Sequence, residues 1–192
     1  MGRLFCLMGK SGSGKDTVFK KLLRDVDLAL LPVVPYTTRP RRDHEVDGRE
    51  YYFITEQRLE EYKKAGCVIE MRSYKTVKGI WSYATIDDGK IDLASRDYLT
   101  IATLEAFSGL KQRFDGAVVP LYITVDDGER LTRALGREKK QRKPDYYELC
   151  RRFLADRNDF SEHRLREAGV LRAFSNDNLA NCISEIKKWI IG

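Results

Sequence analysis

The sequence predicts an α/β protein whose core is a mainly parallel β-sheet covered by helices on both faces. A short apolar run at residues 4–8 is followed by a glycine-rich loop and an amphipathic stretch, the pattern of a strand, a turn and a helix. Further apolar runs alternate with amphipathic stretches along the chain, which is typical of parallel sheets. The length of 192 residues suits one domain with a single core.

The remaining elements follow in order from the same patterns. A proline-interrupted apolar segment at 28–34 and an aromatic, strand-like run at 50–55 come first. Further strands are predicted from short apolar runs at 68–71, 76–85, 90–93, 98–103, 117–125 and 170–174. Turns are predicted at Lys78-Gly79 and Asp87-Asp88-Gly89. Helices are predicted from amphipathic spacing at 57–65, 104–114, 128–135, 147–160 and 178–191.

Composition narrows the class of protein. Hydrophobic residues make up 42% and charged residues 33% of the chain, a soluble globular composition. The first residues do not fit a signal peptide and no apolar run approaches membrane length, so a cytoplasmic protein without a membrane partner is expected. The four cysteines and two histidines are too scattered for a zinc site, a disulfide framework or a histidine dyad. Taken alone, a net charge of +6 is compatible with nucleic acid, an anionic membrane surface or a small acidic substrate, and the positions of the arginines decide between them.

The loop between the first strand and the first helix has the Gly-x-x-x-x-Gly-Lys spacing of a P-loop. Its glycines let backbone N–H groups converge on phosphate oxygens, and the helix N-terminus adds partial positive charge there. Lys15 can place a full charge against the β- and γ-phosphates of ATP. The ATP-binding residues predicted here are Gly9, Ser11, Gly12, Ser13, Gly14, Lys15, Asp16 and Thr17.

The residue after the lysine departs from the common P-loop pattern. Asp16 stands where that pattern has Ser or Thr, whose hydroxyl helps to hold Mg²⁺. Asp16 can contact the metal or its water shell, or the next residue, Thr17, can supply a hydroxyl. Both residues are therefore candidate metal ligands, with Mg²⁺ and ATP as the expected cofactors.

A second motif, at residues 35–53, combines arginines with Thr, Glu, Gly and Tyr. Its members Thr37, Thr38, Arg39, Arg42, Glu45, Gly48, Tyr51 and Phe53 fit the T-T-R-x-x-R-x-x-E-x-x-G-x-x-Y-x-F pattern of guanylate kinases without a gap. The chain therefore resembles the guanylate kinase family. Arginines suit phosphate because their planar forks bind it bidentately.

The resemblance implies an acceptor site. Residues matching Arg39, Arg42 and Tyr51 hold the phosphate of the acceptor in the family, and Glu45 matches a position in the same site. Glu70 matches the glutamate that reads the guanine edge. Where the family has Y-Y-G-[ST], this chain has residues 80–83, of which Trp81 and Tyr83 can line the pocket or serve as core aromatics.

Two positions depart from the family pattern in a way that bears on the substrate. Guanylate kinases carry D-x-D near the end of the strand at 98–103, where carboxylates help with base recognition and metal binding. Here the positions are Thr100 and Ala102, which cannot replace that charge. A related kinase with another phosphorylated acceptor is therefore an alternative to a kinase acting on GMP.

The resemblance continues through a lid and an adenine loop. Arg133 and Arg137 match the family R-x-x-x-R, and Arg152 matches an arginine on the returning helix; all three are expected to stabilise the transferring phosphoryl group. Asn176 lies in an N-D-x-L segment, where the family contacts adenine.

The resemblance implies one domain over residues 1–192 with a P-loop, three-layer core. The core is predicted at 1–35, 91–136 and 153–192, with a small mixed-strand acceptor-binding insert at 36–90 and a helical lid at 137–152. The implied function is ATP-dependent phosphorylation of a nucleoside monophosphate, GMP first, with small-molecule nucleotides rather than nucleic acid as partners. The alternatives are another nucleotide or a ribose phosphate as acceptor, or a non-catalytic module of this fold that binds a protein ligand.

Overall fold

The computed structural model describes residues 1–76 and 79–192. Its central feature is a five-stranded, wholly parallel sheet built from β1 (Leu4–Gly9), β2 (Leu31–Pro32), β7 (Tyr98–Ile101), β8 (Val118–Thr124) and β9 (Ala173–Ser175). The strand order is β2-β7-β1-β8-β9, so β1 lies in the middle. The apolar runs at 4–8 and 118–124 explain why these two strands are buried at the centre.

Helices cover both faces of this sheet because the residues of β1 alternate between two cores. Leu4, Cys6 and Met8 point to one core, which contains Phe107 and Leu110 of α3 (Leu104–Phe114). Phe5 and Leu7 point to the other, shared with α1 (Lys15–Leu23) and α7 (Leu179–Ile191). The predicted α/β fold with a parallel sheet and helices on both faces is confirmed.

A second, mixed sheet has the order β4-β3-β6-β5 and is inserted between β2 and β7. Its strands are β3 (Tyr36–Thr37), β4 (Tyr52–Phe53), β5 (Val68–Thr76) and β6 (Gly79–Ile86), and α2 (Glu56–Lys64) packs beside them. β5 and β6 form an antiparallel hairpin, whereas β3 and β4 are parallel. The predicted turn at Lys78 falls outside the described residues.

The rest of the chain forms α4 (Asp127–Glu138), α5 (Tyr146–Asp159) and the short α6 (Glu162–Glu167). The sequence did not predict α6, and the strand predicted at 90–93 is wrong, since that segment is a loop and turn. The last strand is shorter and later than predicted, at 173–175. Among the described residues, no helix has both the length and the apolar content to cross a membrane.

Candidate active site

A cavity of about 660 Å³ lies at the carboxyl-terminal edge of the parallel sheet. β1 and β7 both end there, as parallel strands that form ligand sites do. Its walls come from the glycine loop, the mixed sheet, the junction of β7 with α3, and helix α5. The predicted site residues brought together around it are Gly9, Ser11, Lys15, Tyr51, Glu70, Tyr83 and Arg152.

The glycine loop needs its glycines for conformation and for space. Gly12 and Gly14 have φ angles of 84° and 82°, in the left-handed region that side chains disfavour. A Cβ atom on Gly14 would lie 2.5 Å from the side-chain nitrogen of Asn176, and one on Gly12 would lie 2.8 Å from the carbonyl oxygen of Arg130. Ser13 between them is fully buried. The loop is therefore held in one shape by the elements behind it.

Lys15 is the first residue of α1 and lines the cavity. Within residues 1–76 and 79–192, no carboxylate lies within ion-pair distance of its ammonium group, so the charge is available to an anion. Asp16 and Thr17 follow in the first turn; both are exposed, and neither is a wall residue of the cavity. Among the described residues there is also no group of three side chains arranged to hold a metal ion.

Asn176 follows β9 and packs against the glycine loop. Its Nδ2 atom donates a hydrogen bond to the carbonyl oxygen of Ser13 at 2.8 Å, and the residue is 4% exposed. Its Oδ1 atom is buried and has no hydrogen-bond partner in the described part of the chain. The structure thus places this side chain against the loop, and its contact with adenine stays a prediction.

The three arginines predicted to stabilise the transferring phosphoryl group occupy different positions. Arg133 on α4 lies beside the loop, with Nε donating to Glu129 at 2.8 Å and Nη2 to the carbonyl oxygen of Asn176 at 3.5 Å. Arg137 lines a smaller cavity of about 170 Å³ together with Ser11 and Arg152. Because Arg152 and Ser11 line both cavities, they lie between them.

Arg39 and Glu45 form a buried ion pair. Two guanidinium nitrogens of Arg39 donate to the two carboxylate oxygens of Glu45, at 3.0 and 2.7 Å, and the side chains are only 4% and 7% exposed. The hydrogen bond from Arg39, with one from the backbone N–H of Arg42, lowers the pKa of Glu45 to about 2. Neither Arg39 nor Glu45 lines the cavity. The pair therefore stabilises the conformation of the motif at residues 35–53 without facing the cavity.

The Arg39 guanidinium carbon also lies 5.5 Å from the ring centre of Tyr51, which does line the cavity. Partial burial raises the pKa of Tyr51, so its hydroxyl stays a neutral donor. Tyr83 contacts Tyr51 edge-on, with ring centres 5.6 Å apart. Arg42 is exposed and Trp81 half-buried, and the structure does not bring these two predicted residues into the cavity wall.

Glu70 lies on β5 directly after an irregularity in the strand register, and it lines the cavity. Its Oε1 atom accepts a hydrogen bond from the Thr85 hydroxyl at 3.1 Å. Ala102 also lines the cavity and offers only a methyl group, while Thr100 is buried within β7. The acceptor end of the cavity therefore has one oriented carboxylate from the mixed sheet and none from positions 100 and 102.

A comparison with family models gives a match to Guanylate kinase over residues 1–147. The chain belongs to the guanylate kinase family. The match covers the glycine loop, the arginine motif, the mixed sheet and α4, whereas nearly all of α5, which forms one wall of the cavity, lies beyond residue 147.

Curated relatives agree with this assignment. A guanylate kinase from Thermotoga maritima is 46% identical over 56 residues, which cover 29% of this chain and only 27% of that relative. One from Porphyromonas gingivalis is 26% identical over 193 residues, covering 99% of this chain and 97% of the relative. The crystal structure of guanylate kinase from Anaplasma phagocytophilum matches with a TM-score of 0.65 at 18% identity, over 99% of this chain and 85% of that one. This last likeness shows the fold.

Several cavity residues were not predicted from the sequence, although a periodic signal for them exists. Arg152, Ala155, Asp156 and Asp159 line the cavity at the i, i+3, i+4 and i+7 spacing of one helix face. Along β5, residues 70, 72 and 74 line it at the two-residue period of a strand face. The family motifs identify one member of each set, Arg152 on the helix and Glu70 on the strand. The helical and strand periods, applied from these two residues, would have predicted the others.

Proposed function

We propose that this chain is an enzyme that transfers the γ-phosphoryl group of ATP to the phosphate of GMP, giving ADP and GDP. Family membership, and a relative of that name matched over almost its full length, support ATP-dependent phosphorylation of GMP. The observation that carries the proposal is the shared cavity. Lys15 of the phosphate loop and Glu70 of the mixed sheet line the same space, so a donor phosphate and an acceptor can meet there.

The donor end of the reaction uses the glycine loop. Backbone N–H groups of the loop and the positive end of α1 attract phosphate oxygens. Lys15 adds a full positive charge, and its interaction grows as negative charge builds on the transferring group. The buried amide of Asn176 supports the loop through its bond to Ser13.

The acceptor end of the cavity orients the acceptor phosphate and does not need to transfer a proton. A phosphate monoester is already ionised at neutral pH, so it can attack without a general base. Tyr51, which packs against Arg39, holds this phosphate, and Glu70 holds the base, so that the reacting oxygen faces the γ-phosphorus. Catalysis then comes from positioning and charge stabilisation.

Arg133, Arg137 and Arg152 complete the proposed machinery. Arg133 and Arg137 lie on α4, and Arg152 lies on α5. Residues 139–145 join the two helices, and these residues together with the adjoining helix ends form the proposed lid at 137–152. Closure of such a lid would exclude water and bring guanidinium groups to the equatorial oxygens. We also propose the division into core, acceptor-binding insert and lid given by the sequence, and a cytoplasmic location.

Mg²⁺ is the expected metal, and the residues present fit it. Asp16 offers an exposed carboxylate and Thr17 a hydroxyl beside the phosphate loop, which are oxygen ligands that Mg²⁺ accepts. Such a metal is typically held by one or two protein oxygens together with substrate phosphates, so a cage of protein ligands is not required. The metal would neutralise charge on the β- and γ-phosphates.

The test is an ADP-release assay with ATP, Mg²⁺ and separate acceptors: GMP, dGMP, AMP, CMP, UMP and ribose phosphates. We expect GMP to be the preferred acceptor. Lys15→Ala should lower kcat by about 100-fold or more, as the loss of a transition-state donor does. Lys21→Ala, an exposed lysine of the same helix, is the matched control and should retain the activity.

A second candidate is transfer to another phosphorylated acceptor, such as a ribose phosphate. It is favoured by Ala102, which gives the cavity wall no carboxylate at a position where the family pattern has one. If a ribose phosphate were phosphorylated and GMP were not, that ribose phosphate would take the place of GMP as the proposed acceptor. Silence with every acceptor would instead favour a non-catalytic binding module.

A further inference from the structure

Arg72 lies two residues after Glu70 on β5, and both side chains line the cavity. Alternate residues of a strand share a face, so the two groups stand side by side. The Nε atom of Arg72 is 3.8 Å from the Oε2 atom of Glu70, and the two side chains are 42% and 26% exposed. A guanidinium therefore adjoins the carboxylate that is proposed to bind the base.

Each of these two groups is fixed by a separate hydrogen bond. The Thr85 hydroxyl donates to Oε1 of Glu70 at 3.1 Å. Nη2 of Arg72 donates to the hydroxyl oxygen of Thr103, which is also the N-cap of α3. The 3.8 Å between Nε and Oε2 exceeds hydrogen-bond length, so both atoms can still bond to a ligand.

The pair offers a donor next to an acceptor, and guanine offers the opposite pattern. Guanine carries donors at N1 and N2 and, next to them, acceptors at O6 and N7. A carboxylate only accepts and a guanidinium only donates. We propose that Arg72 reads the O6 and N7 edge of the acceptor guanine while Glu70 accepts from N1 and N2. This inference rests on the proposed transfer to GMP and adds a specificity-determining residue to it.

The same pair rejects the two main competitors. Adenine would turn its N6 donor towards the donor Arg72 and its N1 acceptor towards the acceptor Glu70, so both contacts would be unfavourable. A second phosphate of a sugar bisphosphate would pair with Arg72 but would lie against the Glu70 carboxylate. Because Ala102 offers only a methyl group, the guanidinium of Arg72, which adjoins Glu70, is the donor proposed to read the base here.

The first measurement compares kcat/KM of the unaltered protein for GMP, 7-deaza-GMP and IMP. The 7-deaza analogue lacks the N7 acceptor and IMP lacks the N2 donor, so each removes one partner of the pair. We expect 7-deaza-GMP to be about tenfold poorer than GMP, the size of a lost contact to this edge. An equal kcat/KM for GMP and 7-deaza-GMP would overturn the proposal.

The second measurement repeats this comparison with Arg72→Ala, Arg72→Lys and Glu70→Gln. Arg72→Ala should lower kcat/KM for GMP about 10- to 100-fold and abolish the penalty for 7-deaza-GMP, while the penalty for IMP remains. Glu70→Gln should lower kcat/KM for GMP and abolish the penalty for IMP, while the penalty for 7-deaza-GMP remains. Arg72→Lys keeps the charge without the fork, so it should retain more activity with GMP but also lose the N7 penalty.

Lys75→Ala is the control, since Lys75 is exposed on the same strand and does not line the cavity. A 7-deaza penalty that persists in both Arg72 variants would overturn the inference, even if their melting temperatures fall, because Arg72 would then serve only to anchor Thr103. Absence of GMP turnover in the unaltered protein would instead refute the proposed function itself. The two failures are therefore distinguishable.

Discussion

The backbone N–H of Ser11 donates a hydrogen bond to Oδ2 of Asp156, with 2.7 Å between the two atoms. A carboxylate from α5 thus accepts from an N–H group of the loop that is proposed to bind the donor phosphates. Asp156 also lines the main cavity, close to where the donor phosphates are proposed to bind. We therefore expect its negative charge to oppose nucleotide binding at the proposed site.

We predict that Asp156→Asn binds ADP and ATP about fivefold more tightly, since removing one like charge at short range in a hydrated site changes the energy by about 1 kcal/mol. The asparagine oxygen can still accept from Ser11, so the loop keeps its support. Isothermal titration calorimetry measures the change. Asp159→Asn, which alters another carboxylate of the same cavity wall, is the control. Weaker binding by Asp156→Asn would contradict the prediction.

Asn176 provides the second prediction. Its bond to the Ser13 carbonyl oxygen is buried, and its loss would leave an unsatisfied acceptor and a small void behind the loop. Asn176→Ala should lower the free energy of unfolding by about 1–3 kcal/mol and weaken ATP binding. Urea unfolding compares the free energy of unfolding of this variant with that of Asn158→Ala, a change at an exposed residue of α5. Equal stabilities would show that the bond contributes nothing to the loop.

The sequence predicted the fold where the signal was local. The apolar run before the glycine loop and the run at 118–124 gave β1 and β8, and their alternation with helices gave the parallel sheet. The strand predicted at 90–93 was wrong, because so short an apolar run has no periodicity that distinguishes a strand from a loop. The six-residue helix α6 is too short to show helical periodicity.

For the site, motif spacing placed Lys15, Tyr51 and Glu70, which line one cavity. It could not show that Arg39 and Glu45 would neutralise each other, because their six-residue separation spans a loop with no regular period. The contact between Ser11 and Asp156 joins residues 145 positions apart and depends on how α5 packs. Such partners are set by tertiary structure rather than by any local pattern.

The ion pair of Arg39 and Glu45 makes stability depend on pH in the acid range. The pKa of Glu45 is lowered from its ordinary value of 4.5 to about 2, first by the Arg39 hydrogen bond. The native state therefore binds this proton less readily than the unfolded state. Its stabilising contribution is complete above pH 4.5 and is lost as the pH falls towards 2.

Urea unfolding at a series of pH values tests this third prediction. Glu45→Gln should reduce stability at pH 7 and should show a shallower fall in stability between pH 4.5 and 2 than the unaltered protein. Glu185→Gln, a change at an exposed carboxylate of α7, is the control. Parallel curves for the Glu45 variant and the unaltered protein would exclude a native pKa shift at this residue.

Arg130 on α4 gives the last prediction, because its guanidinium is buried with few partners. The residue is 2% exposed, Nε and Nη1 have no hydrogen-bond partner among the described residues, and Nη1 lies 3.4 Å from Asp127. The group stacks 4.6 Å above the ring of Phe153. A buried charge with incomplete pairing costs desolvation energy that an apolar side chain of similar length would not.

Arg130→Met should therefore leave the free energy of unfolding unchanged or raise it by about 1 kcal/mol, with kcat/KM near that of the unaltered protein. Arg130→Ala should instead destabilise the protein, because the void beside Phe153 is not filled. Urea unfolding and the ADP-release assay on both variants separate the effects of charge and volume. A stable Arg130→Met protein with a large loss of kcat/KM would contradict this and would assign the guanidinium to phosphate binding behind the loop.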